Sequence, residues 1–120
     1  MNHEVFFNAV AKAVVSPELT DRMNQIYKSN LPNEVARLFS VCPEGCFLEG
    51  NNFRRLMSIE EIANAPSELH VNFASLGIIP LFDTGDNDFI VYDFIHGCWK
   101  KFNIVDETPF GAKKTLQDIL

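Results

Sequence analysis

Residues 77–102 constrain the fold more than any other part of this chain. They hold three apolar runs separated by two turn-forming clusters, Thr84-Gly85-Asp86-Asn87 and His96-Gly97. Apolar, β-branched and aromatic runs bounded by Gly, Asn and Asp predict strands joined by tight turns, here an antiparallel meander. The middle run, residues 88–95, is the clearest strand. Ile90, Tyr92 and Phe94 face one way and Phe89, Val91, Asp93 and Ile95 the other. Both faces are mostly apolar, which predicts a central strand. In the first run, Pro80 has no amide to give a ladder, so an edge or irregular position is expected. The third strand, residues 98–104, carries Lys100 and Lys101 and is expected to stay partly wet.

Helical signals precede the meander. Val5, Phe6, Ala9, Val10, Ala13 and Val14 follow a helical period, although Val and Phe also permit a short strand. Ser16 before Pro17 suits an N-cap and first turn, predicting a helix over residues 18–27 with Leu19, Met23, Ile26 and Tyr27 inward. Leu31-Pro32-Asn33-Glu34 opens a third helix with Val35, Leu38 and Phe39 as its stripe, ended by Cys42-Pro43-Glu44-Gly45. Cys46-Phe47-Leu48 reads as a short strand, and Glu49-Gly50-Asn51-Asn52 as a turn into Phe53-Arg54-Arg55-Leu56. Ser58 with Glu61 three residues on is a capping-box start, and Pro66 is expected to limit that helix. A second helical piece falls within residues 67–76. Phe110, Leu116, Ile119 and Leu120 suit a closing helix that docks on the sheet.

A chain of 120 residues is one domain, spanning residues 1–120, and long enough for a proper core. Eleven phenylalanines against one tryptophan and two tyrosines predict a Phe-rich interior. The net charge of −6 argues against sequence-independent nucleic-acid binding, which needs clustered Lys and Arg. It fits a soluble protein, or one whose partner is basic. No apolar run approaches the roughly 20 residues of a membrane span. The start, Met1-Asn2-His3-Glu4, lacks the basic region of an export signal, and the three cysteines are an odd number. Reduced thiols and a cytoplasmic location are the expectation.

Several residue groups invite chemistry. Asp83, Asp86 and Asp88 offer oxygen ligands for a hard cation, but the EF-hand spacing is missing, and a tight turn around Gly85 explains them better. Cys42, Cys46, His96 and Cys98 have the ligand types for zinc, yet His-x-Cys on a strand is unusual. Separate reduced thiols are the preferred reading. His3, His70 and His96 are candidate bases for a cysteine nucleophile, and no cysteine-enzyme signature surrounds any of the three cysteines. Glu60 and Glu61 are helix neighbours that point apart, as a capping box and solvated face require. No catalytic residue, metal ligand or cofactor is therefore expected. What remains is a partner surface: Asp83, Asp86, Asp88 and Asp93 on the meander, with Glu60 and Glu61, and Glu44 and Glu49 as further acids. Trp99 or Tyr92 would anchor it if exposed; otherwise both belong to the core.

Five features in order resemble the SUKH superfamily, the Smi/Knr-type domain. They are the Leu31-Pro32 pair opening a helix that ends in Leu38-Phe39; the Leu-x-Ser-x-Glu-Glu-Ile segment from Leu56 to Ile62; the Ile-Pro-Leu-Phe-Asp-x-Gly signature from Ile79; the strand–Gly–strand continuation with Gly97 and Trp99; and the C-terminal Phe-plus-Leu helix. The likeness covers residues 31–120. It implies an α+β fold with a mixed, mostly antiparallel sheet and helices packed on one side. It also implies a non-enzymatic protein-binding role. Bacterial members are linked to polymorphic toxin systems as immunity proteins that bind and block a cognate toxin, often a nuclease. Fungal relatives act as regulatory interaction modules, which is the alternative reading; a small metal-dependent enzyme is a more distant one. This is analogy at the level of fold and motif.

Overall fold

The computed structural model describes residues 1–120. The elements run α1 (His3–Lys12), α2 (Pro17–Tyr27), α3 (Asn33–Val41), β1 (Cys46–Leu48), β2 (Arg54–Leu56), α4 (Ile59–Glu68), α5 (Phe73–Leu76), β3 (Ile78–Asp83), β4 (Asp88–Asp93), β5 (Cys98–Asn103), β6 (Thr108–Lys113) and α6 (Leu116–Ile119). This is an α+β fold.

The helix starts follow from their caps. Asn2 accepts from the Val5 amide, Ser16 from Leu19 with Pro17 next, and Ser58 from Glu61. At Ser58 the Glu61 carboxylate also takes the Ser58 amide at 3.0 Å, closing the reciprocal box. The first apolar run is thus a helix, with Phe6 fully buried. Pro66 does not end α4, which continues to Glu68. A proline inside a helix leaves the carbonyl four residues earlier without its donor. Here that carbonyl belongs to Ile62, and the buried Tyr27 hydroxyl donates to it at 2.6 Å.

The six strands form one sheet in chain order, β1 to β6, and every neighbouring pair is antiparallel. The meander is therefore twice as long as the three strands the sequence singled out, and it contains no parallel pair. β4 is central and buried almost throughout. Pro80 occupies an irregular position: the register shifts between Pro80 and Phe82, and β2 pairs only with Phe82 and Asp83. β6 replaces part of the expected closing helix, which shrinks to four residues in α6. All six β6 residues are exposed, so backbone pairing to β5 holds the strand and side-chain burial contributes little.

Register decides which side chains share a face. Phe82, Ile90 and Lys101 form one cross-strand row, and Asp83, Phe89 and Phe102 form the next. Adjacent rows face opposite ways. Phe6 of α1 meets Phe82, with ring centroids 6.0 Å apart. Phe73 of α5 meets Phe102 at 5.8 Å. Helices therefore reach both faces, where one side was expected. β4 requires this, because Phe89 and Val91 point one way and Ile90 and Tyr92 the other, all of them buried.

Gly45 sets the approach of the α3–β1 turn to β2. Its φ is +83°, and a Cβ there would lie 2.7 Å from the Leu56 carbonyl oxygen. Only glycine meets both conditions.

Candidate functional site

The acids singled out by sequence do not form one free patch. Asp93 is an interior carboxylate, 3% exposed. Its Oδ1 accepts from the amides of Ile95 (3.0 Å) and His96 (2.8 Å). Its Oδ2 lies 2.7 Å from both Lys100 Nζ and His96 Nδ1. Burial opposes the charge, but the bonds from Lys100 and from the His96 amide and ring outweigh it and hold the carboxyl at about 2. Asp93 thus fastens the β4–β5 turn and has no face to offer a partner.

Glu61 and Asp83 are brought together, though around a cation. Arg55 makes a two-pronged contact to Glu61, at 2.6 and 2.8 Å, and reaches Asp83 at 3.3 Å. The guanidinium bond from Arg55 is the main cause that holds Glu61 at about 2, with the Ser58 amide adding to it against burial. Asp83 also accepts from the Gly85 amide at 2.8 Å, and Asp88 from Asn103 Nδ2 at 2.8 Å. Glu60 sits on the surface in an ion pair with Arg22 at 2.9 Å. Of Asp83, Asp86, Asp88 and Asp93, Asp86 alone is exposed and unpaired, at a turn where it and Asn87 take φ of 52° and 66°. The turn reading of residues 83–88 is the geometry observed. No group of three or more His, Cys, Asp or Glu side chains converges in a way that holds a metal ion.

Trp99 is 1% exposed and packs edge-on against Tyr92, centroids 5.1 Å apart. It belongs to the core and cannot anchor an interface from there. The three cysteines are free thiols. Cys42 Sγ lies 3.0 Å from the Gly45 carbonyl oxygen, and Cys46 sits beside Cys42. Burial first, and then the Cys42 neighbour, push the Cys46 thiol up to about 11, far from the thiolate a nucleophile needs.

The surface that does stand out was missed in the sequence. Phe47 on β1 and Phe53 just before β2 are 61% and 49% exposed. Their rings contact each other edge-on at 5.6 Å. Phe47 pairs with Arg55 across β1 and β2 and so shares its face. α4 lies over Arg55 through Glu61, and Phe47, one strand further out, is left uncovered. Phe53 also approaches the Gly85 turn, with its Cδ1 3.9 Å from the Cβ position. Asp86 is the next residue of that turn, and Glu49, exposed and 3.3 Å from the N-terminal ammonium, follows β1. Other exposed apolar side chains, such as Val14 and Val105, lack an exposed aromatic partner and are ordinary surface residues. Strand alternation hints at Phe47 facing away from Cys46 and Leu48, but its exposure depends on how far α4 reaches.

Comparison with models of protein families, with curated proteins and with solved structures finds no match to this chain. No helix is long and apolar enough to cross a membrane.

Proposed function

We propose that this chain is a protein-binding domain of the SUKH type, without catalysis of its own, and that it acts as an immunity protein. In this reading it occludes a cognate toxin whose surface is basic. The observation that carries the proposal is the exposed Phe47–Phe53 pair, with the free acid Asp86 in the turn that Phe53 approaches and Glu49, paired with the N-terminal ammonium, two residues after Phe47. Aromatic anchors with a charged rim are how compact interfaces gain affinity and steer encounter. The net charge of −6 extends the same attraction over the whole surface. Three free thiols fit a reducing, cytoplasmic setting.

The test is co-expression with the toxin-like product of an adjacent gene, scored by co-purification and by survival of the host. Binding with protection supports immunity. Absence of both refutes it. A bound neighbour that is not toxic favours the regulatory module instead.

A further inference from the structure

A cleft of about 240 Å³ lies between α1, α3, β5 and the start of α6, away from the aromatic pair. Phe7, Val10 and Leu116 give it an apolar wall, and Trp99 lines it as well. Two charged side chains border it, Glu34 and Arg37 of α3. They stand one helical turn apart, yet neither makes an ion pair with the other or with any other residue. The Trp99 indole N–H is buried and has no acceptor. Glu34 is exposed and Arg37 half-buried, so both charges remain free to meet a ligand that carries the opposite signs.

We infer that this cleft binds a small zwitterion with an apolar body, a branched-chain α-amino acid. Arg37 answers the carboxylate, for which its planar fork is suited. Glu34 answers the ammonium group. Phe7, Val10 and Leu116 cover the side chain. Size is compatible with a small ligand, since drug-sized pockets start near 300 Å³ and this cleft is about 240 Å³. The site is separate from the Phe47–Phe53 surface, so it stands or falls independently of the immunity reading.

Trp99 is the sole tryptophan and lines the cleft, so its emission reports occupancy directly. The experiment titrates the purified full chain with L-leucine. Two analogues run alongside: 4-methylpentanoate, which lacks the ammonium, and isopentylamine, which lacks the carboxylate. A saturable change in Trp99 emission with leucine is expected, weakened roughly tenfold or more for each analogue. Arg37→Gln and Glu34→Gln, confirmed as folded by their thermal melts, are expected to lose a similar factor for leucine. No saturable change up to about 10 mM leucine, the weak end of specific affinity, overturns the assignment. Equal binding of either analogue, or unchanged leucine binding by Arg37→Gln, overturns it too.

Discussion

Replacing Tyr27 by Phe isolates one hydrogen bond in the interior. The Tyr27 hydroxyl is fully buried, and burial pushes its pKa up, so it remains a neutral donor. Its acceptor, the Ile62 carbonyl, is the one that Pro66 leaves without a helical partner. Tyr27→Phe keeps the ring against Phe73 (6.3 Å) and strands a buried carbonyl. Leaving such a group unsatisfied costs about 1–3 kcal/mol. Unfolding entropy of about 2.1 cal/mol/K per residue gives about 0.25 kcal/mol/K for this chain, so Tm is expected to fall by about 4–12 °C. The decisive variant is Pro66→Ala, which restores an amide to the helix. In the Tyr27→Phe background that amide can donate to Ile62 and recover much of the loss. In the wild-type background the carbonyl is already served and the gain is small. Urea unfolding of the four proteins closes a double-mutant cycle, with an expected coupling of about 1 kcal/mol or more. Additive effects of the two substitutions, within about 0.3 kcal/mol, would refute the claim that Tyr27 compensates for the proline.

Three further outcomes follow from the described contacts. Asp93 has a depressed folded pKa, so its contribution is present above the unfolded value of 3.8 and is lost as pH falls toward about 2. The shift corresponds to about 2 kcal/mol; Asp93→Asn should lose that stability at pH 7 and show a flatter decline between pH 4 and 2, measured by urea melts at each pH. Gly45→Ala places a Cβ against the Leu56 carbonyl at a positive φ, and a loss of about 2 kcal/mol or more is expected in the same assay. Phe47→Ser with Phe53→Ser should leave the melting curve nearly unchanged, because both rings are about half exposed or more. The same double variant should weaken binding to a cognate partner roughly 30-fold or more, since covering the exposed area of two such rings gains about 2–3 kcal/mol. A calorimetric titration against that partner checks it.

Local signals were legible wherever the determinant lay within a few residues. The Ser58–Glu61 box, the Ser16–Pro17 start and the turn around Gly85 are all closed by groups two to four positions apart. β4 was legible because its two apolar faces need no partner to be seen. The extent of α4 was not, because the donor that rescues the Ile62 carbonyl comes from Tyr27, 35 residues upstream. β6 carries no apolar alternation, since an exposed edge strand is held by its backbone. The candidate site suffered most. Charge can be counted in a sequence, but whether a carboxylate is spent on Arg55 or Lys100, or left free as at Asp86, depends on the fold. The exposure of Phe47 is likewise a fact about where α4 stops.

The order of strands has a consequence during synthesis. Each strand pairs with the one just before it, so the sheet can be laid down progressively as the chain lengthens. The helices α1 and α2 can pack on α3 early, but they meet the sheet late. Phe6 packs against Phe82, which is made 76 residues later. At about 5–20 residues per second, that is a delay of about 4–15 s. Through that interval Phe6 lacks the ring it packs against, and Tyr27 waits for Ile62 and Phe73 for part of the same time. Within this fold, α1 is thus the element that relies longest on whatever protects unfinished chains at the ribosome.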